Sequence, residues 1–212
     1  MKKTEELSER TIERLTLYRR LLSDLREKGL EHIYSHQLAE FISNTPAQIR
    51  RDIMMIGYVA NSKKGYTITD LIEKIDSVLS CCDSRIALVG IGNLGRAILS
   101  YFNQQHSALR IVAAFDNDES RINRVIAGCR CYPIRILKEK VEEEKISLGI
   151  ITVPGQSAQD VADILADAGI RGILNFAPVP VKVPDGLYAD RIDITTAIEK
   201  VAYFANCKSN KK

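Results

Sequence analysis

Up to about residue 80, apolar positions recur three and four apart, the period of helices packed through one face. Leu15, Tyr18, Leu22 and Leu25 predict a first helix, closed by Gly29. Ser35 is placed to cap a second, which buries Leu38, Phe41 and Ile42. A third is signalled by Thr45 as N-cap, Pro46 at the first helical position and Gln48 closing a capping box. Its inner face is Ile49, Ile53 and Ile56, and Gly57 ends it. From Tyr58 to Ile68 two β-like runs flank Asn61-Ser62-Lys63-Lys64-Gly65 and predict a hairpin. Leu71, Ile72, Ile75, Val78 and Leu79 then predict a connecting helix, with no Gly/Ser-rich linker before the second half.

In that second half the apolar residues gather into short runs separated by amphipathic stretches. Strands are expected at Ile86–Val89, Leu109–Phe115, within Val125–Ile134, at Leu148–Val153 and at Gly172–Phe176. Helices are expected at Leu94–Gln104, Leu137–Glu144, around Val161, Ile164, Leu165 and Ala168, and last at a helix capped by Thr196 and Glu199 with Ile198, Val201 and Ala205 on one face. Alternation of this kind specifies an α/β fold, a Rossmann-like doubly wound parallel sheet. The expected domains are residues 1–80 and 81–212.

The first strand runs into Gly90-Ile91-Gly92-Asn93-Leu94-Gly95, a G-x-G-x-x-G turn. The first glycine allows the turn, the second the approach of a pyrophosphate, and the third close packing of the helix, whose N-terminus faces the phosphates. Asp116 lies 21 residues beyond Gly95, where a carboxylate accepts hydrogen bonds from an adenosine ribose. A carboxylate there repels a 2′-phosphate, so NAD(H) is favoured over NADP(H), and it also opposes coenzyme A with its 3′-phosphate. Ligands on such sheets sit beyond the carboxyl ends of the strands, which adds Thr152, Val153, Pro154, Asn175, Ala177 and Pro178 to the candidate site. Beyond the last helix there is only a polar, basic tail. For a dehydrogenase only Tyr101 is a passable acid or base, so a non-enzymatic reading leads. An NAD-dependent oxidoreductase with a helical appendage is the alternative.

Charge sharpens the picture of the first half. The 212 residues carry a net charge of +3, and between Pro46 and Tyr66 Arg50, Arg51, Lys63 and Lys64 face Asp52 alone, an excess equal to that of the whole chain. Three helices and a basic-tipped hairpin are the pattern of a winged helix-turn-helix, whose third helix enters the major groove while wing lysines reach phosphates. Ser35, Gln48, Arg50, Arg51, Lys63, Lys64 and Tyr66 are the candidate DNA contacts. The five cysteines lack C-x-x-C spacing and the three histidines are scattered, so neither a disulfide framework nor a metal site is expected. They are read as packing or surface thiols, with the adjacent Cys81–Cys82 pair the one alternative place for thiol redox chemistry. No apolar run reaches the ~20 residues of a membrane span and the N-terminus is charged, so a cytoplasmic protein is expected.

These motifs together resemble the Rex family of redox-sensing transcriptional repressors over nearly the whole chain. The resemblance is carried by Arg14-Leu15 through Tyr18 and Arg20, Gln48-x-Arg50-Arg51-Asp52, Gly65-Tyr66, the glycine turn, Phe115-Asp116, Leu174-Asn175-Phe176-Ala177-Pro178 and Asp193. It implies a homodimer that binds palindromic operator DNA, senses the NADH/NAD⁺ ratio and leaves the DNA when NADH is high. It also implies that the last helix, Thr196 to Ala205, is exchanged between subunits, and that Arg20, Tyr101 and Asp193 lie near the nicotinamide as the switch. The sequence departs from the family pattern at Met54-Met55-Ile56, where an aromatic pair is common, at the wing Ala60-Asn61-Ser62-Lys63-Lys64, and at Ile194.

Overall fold

The computed structural model describes residues 7–59, 64–79, 84–104 and 109–209. The chain divides into two compact units, Met1–Cys81 and Cys82–Lys212.

In the first unit, α1 (Glu9–Glu27) is capped by Ser8, whose side chain accepts from the Thr11 N–H. It is followed by β1 (His32–Ile33), α2 (Ser35–Phe41), α3 (Pro46–Met55), β2 (Tyr66–Thr67) and α4 (Ile68–Leu79). Leu15, Tyr18, Leu22, Leu38, Ile49, Ile53, Leu71 and Ile75 meet in one core, so the helical spacing correctly located the inner faces. Four local expectations are corrected. Ser35 is the first residue of α2 and not its cap, and the Tyr34 N–H donates to Gln37 Oε1 instead. Phe41 is 61% exposed, because it falls at the end of a helix only seven residues long. Thr45 does cap α3, but Gln48 turns its side chain away from the capping box toward Asp52. Finally β2 pairs antiparallel with β1, His32 opposite Thr67 and Ile33 opposite Tyr66, rather than with the run at Tyr58. The remainder of the expected hairpin, residues 60–63, lies outside the described residues.

The second unit is a seven-stranded sheet: β3 (Ser84–Val89), β4 (Leu109–Asp116), β5 (Val125–Ile126), β6 (Cys129–Pro133), β7 (Leu148–Ile151), β8 (Gly172–Asn175) and β9 (Tyr188–Arg191). Their spatial order is β5-β6-β4-β3-β7-β8-β9, and every neighbouring pair is parallel except β5 with β6. The chain thus winds outward from β3 through β4 to β6, then returns to the other side of β3, which places a switch point at the end of β3. The helices are α5 (Asn93–Gln104), α6 (Leu137–Glu143), α7 (Gly155–Asp167) and α8 (Ile194–Ser209). Alternate residues of β3 serve opposite faces: Ala87 and Val89 join the core under α6 and α7, and Ile86 and Leu88 the one under α5. Two features went unread in the sequence. The run Val125–Ile134 holds an antiparallel edge pair, and β9 adds a seventh strand built of Tyr-Ala-Asp-Arg, too polar to register as a buried run.

Candidate functional site

The sheet gathers the glycine turn, Asp116 and the Thr152 loop at the carboxyl ends of β3, β4 and β7. Gly90 adopts φ +97°, and a side chain there would strike the Thr152 backbone at 2.9 Å. A side chain on Gly95 would collide with the Gly90 carbonyl, so α5 can lie this close to the turn only with glycine at that place. Gly92 faces open space, with nothing within 4 Å of where a Cβ would stand. A pyrophosphate fits that opening, at the N-terminus of a twelve-residue helix. Thr152 ties the loops together: its hydroxyl donates to the carbonyls of Gly90 at 2.7 Å and Val89 at 3.0 Å.

Asp116, 5% exposed, accepts the Ile91 N–H at 2.7 Å and the Asp118 N–H at 2.9 Å. Arg121 adds a bond at 3.0 Å and reaches Asp118 as well. Burial works to raise this carboxyl's pKa, but the two backbone donors and the guanidinium outweigh it and hold it below the usual carboxylate range. It therefore stays an ionised acceptor, beside a cleft of about 310 Å³ that also borders Val153, Pro154, Ser157, Asp160 and Ile164. One wall is apolar and one edge is carboxylate, which suits an adenosine. Arg121, Ser157 and Asp160 were missed in the sequence. Arg121 alone left a signal, a cation five residues after the strand-end aspartate.

Of the other expected cofactor residues, Ile91 is fully buried, while Asn93 and Leu94 open α5 at the surface. Asn175 is occupied in shaping its own loop, donating to the Val179 carbonyl and accepting the Ala177 N–H. Ala177 is buried, and Pro178 packs beside Gly155 at the start of α7. Tyr101 stands 52% exposed on α5, above an apolar groove formed with Ile98, Phe102, Leu174 and Phe176.

Asp193 follows β9, the edge strand beside β8. There it caps α8, accepting the Thr196 N–H at 2.9 Å and the Thr196 hydroxyl at 2.8 Å, with Arg191 at 3.4 Å. This corrects the expected cap at Thr196, and the Thr196 bonds hold the carboxyl below its usual range. The described part of α8 is exposed on every side, including Ile194, Ile198, Val201, Tyr203 and Phe204.

In the first unit Arg50, Arg51 and Lys64 are exposed, and Arg50 donates to the Ser35 hydroxyl at 3.1 Å. Arg20 is an exposed residue of α1. Lys63 lies outside the described residues. Two expected DNA contacts are engaged elsewhere. Tyr66 is 5% exposed and packed in the core near Tyr58, since its strand turns it inward. Gln48 donates at 2.8 Å to Asp52, which is fully buried and also takes two bonds from Arg14, at 2.6 and 2.8 Å, and one from Tyr18 at 2.7 Å. Burial opposes ionisation of Asp52, yet these donors keep its pKa low, while burial and the bond to Asp52 push the Tyr18 hydroxyl far up. Cys129 and Cys131 are buried and their thiols pushed up to about 11, which leaves little thiolate at neutral pH. Cys81 and Cys82 lie outside the described residues.

Residues 82–179 match a family described as CoA binding domain, and residues 6–53 one described as putative DNA-binding protein N-terminus. The redox-sensing transcriptional repressor Rex of Brevibacillus brevis is 38% identical over 205 residues, 96% of this chain and 99% of that protein. The Rex of Desulforamulus reducens is 35% identical over 202 residues, 95% and 96% of the two chains. Among solved structures, RSP, a Rex-family repressor, in complex with β-NAD⁺ and operator DNA superposes with a TM-score of 0.89 at 28% identity, covering 96% of this chain and 94% of that one. The same repressor with β-NADH gives 0.82, with 96% of each chain covered.

Proposed function

Because the chain belongs to the Rex family of redox-sensing transcriptional repressors, we infer that it binds operator DNA as a homodimer and lets go when NADH occupies the second unit. The observation that carries this reading is the union, in one chain, of a basic exposed helix α3 with a strand-end carboxylate and glycine turn fitted to a dinucleotide. Residues 1–80 are the winged-helix DNA-binding domain and residues 81–212 the NAD(H)-binding and dimerisation domain. It is a regulator and not an enzyme, and it acts in the cytoplasm, where both NAD(H) and the operator are found.

Gly90, Gly92, Gly95 and the α5 N-terminus hold the pyrophosphate, Asp116 the adenosine ribose, and Thr152, Val153 and Pro154 the loop beside them. The description of residues 82–179 as a coenzyme A type of domain speaks to the fold. Asp116 opposes a 3′-phosphate as it opposes a 2′-phosphate. Homodimerisation is supported by α8, whose Ile198, Val201, Tyr203 and Phe204 are 58–67% exposed. Burial of such side chains stabilises by roughly 1.5–3 kcal/mol each, so the helix docks on a partner subunit. Tyr101 and Asp193 are the residues that meet the nicotinamide. The two redox forms differ by one positive charge on the ring, a difference a carboxylate senses.

The test is a mobility shift on the region upstream of the protein's own gene, with apo protein, NAD⁺ and NADH in parallel. Retardation lost only with NADH is expected. By linkage, the factor by which NADH weakens DNA binding equals the factor by which DNA weakens NADH binding, and reciprocal titrations without that coupling would end the sensor reading.

A further inference from the structure

The outward face of α3 is one continuous stripe: Ala47, Arg50, Arg51, Met54 and Met55, the i, i+3, i+4, i+7 and i+8 positions of a single helical surface. Ile49, Asp52, Ile53 and Ile56 on the other side are buried. The stripe is chemically divided. Its middle is two guanidiniums, and its C-terminal end is a pair of methionines, Met54 72% and Met55 48% exposed. Such a pair is a costly surface to leave in water.

Charge complementarity fixes the occupant. Two adjacent arginines within the stripe exclude an apolar protein surface as the preferred partner and favour a polyanion. From residue 47 to residue 55 the helix rises roughly 12 Å, the length of three to four stacked base pairs. The floor of the major groove offers guanine O6 and N7 to arginine, and to apolar side chains it offers a single feature, the thymine C5-methyl. A thioether set against cytosine would leave the N4 donor without an acceptor of any strength. Against thymine it covers a methyl group.

We propose that Met54 and Met55 are specificity-determining residues that read thymine methyl groups in each half-site, next to the base pairs addressed by Arg50 and Arg51. This rests on the repressor reading and adds to it a sequence preference at the C-terminal end of the recognition helix. The operator half-site then carries thymine at one or two positions flanking the guanine contacts.

The experiment begins with duplexes selected from a random pool by the full-length protein. Each thymine of the selected site is then replaced singly by deoxyuridine, which removes the methyl and keeps the base pair. Affinity is expected to fall roughly fourfold at one or two positions per half-site, the value of one methyl's apolar surface. The double variant Met54→Ala, Met55→Ala should bind the thymine site more weakly and be indifferent to deoxyuridine at those positions. If every deoxyuridine site binds as tightly as its parent, the methionine reading is overturned while the repressor reading stands. A deoxyuridine effect of unchanged size in the double variant overturns it too, by assigning the methyl to other residues. A pool in which no sequence is enriched overturns the repressor reading itself.

Discussion

Among the described residues each unit contains one buried aspartate met by an arginine, and the two differ in what the arginine leaves open. Asp52 receives two bonds from Arg14, one from Tyr18 and one from Gln48, so side chains of α1 and of its own helix fill both oxygens. Asp116 receives two backbone N–H groups and one arginine, and it still borders a cleft. In both, burial works against the charge and hydrogen bonds overcome it. Burial and a lowered pKa therefore do not by themselves mark a ligand site. The distinguishing feature is the source of the donors: side chains closing a helix interface, or fixed strand-end backbone beside empty space.

The sharpest way to break this comparison is to neutralise each carboxyl. Asp52→Asn removes the charge that Arg14 and Tyr18 were placed to meet, and should destabilise the first unit by about 3–5 kcal/mol. Urea unfolding of the full chain, with amide exchange in α1 and α3, checks this. The pH dependence has a definite sign. The folded pKa of Asp52 lies below its unfolded value of about 3.9, so its stabilisation is complete above that pH and is lost as the pH falls through the folded value. Replacement by Asn should flatten the acid limb of the first unit below about pH 4. Asp116→Asn should instead leave the fold in place and weaken NADH binding by about 2 kcal/mol, some thirtyfold, through a lost charged acceptor. Isothermal titration measures it. Equal losses of stability in the two variants would erase the distinction.

The same contrast explains what the sequence made legible. Period and punctuation carry backbone information, so the helical faces, the capping of α3 by Thr45, the parallel strands and the glycine turn could all be read. Which partner a polar side chain takes is not periodic. Gln48 sat at a capping-box position yet pairs with Asp52, one turn away, because a buried carboxylate is a stronger acceptor than an exposed backbone group is a donor. Tyr66 looked like a wing residue, but a period-2 pattern over two residues cannot say which face is inward. β9 was invisible because an edge strand covered on few sides needs no apolar run.

Tyr18→Phe takes one donor from Asp52 and leaves the arginine in place. It should cost about 1.5–2 kcal/mol, less than the effect of Asp52→Asn, with the ring still filling its site in the core. Thermal unfolding of the two variants, and of both changes together, measures the coupling. If the double variant loses the sum of the two singles, the hydroxyl and the carboxylate do not act as a pair, and the closed character of the Asp52 cluster fails.

The smallest effect concerns the arginine on the open side. Arg121 is about one-third exposed and divides its guanidinium between Asp116 and Asp118, so Arg121→Gln should change stability by less than about 0.5 kcal/mol. The two backbone donors remain, and they alone keep Asp116 oriented. NADH affinity should therefore be nearly unchanged. An arginine near the ribose is also the group that would accept a 2′-phosphate, and this is where the substitution is informative. With Nη1 held by Asp116 and Nε by Asp118, the Arg121 guanidinium is shared between two carboxylates that repel a phosphate, so NADPH should bind weakly to wild type and equally weakly to the variant. A wild type that binds NADPH nearly as well as NADH, with that binding lost in Arg121→Gln, would make Arg121 the ligand and Asp116 merely its anchor. Asp116 would then stand to Arg121 as Asp52 stands to Arg14, and the two regions would be built alike.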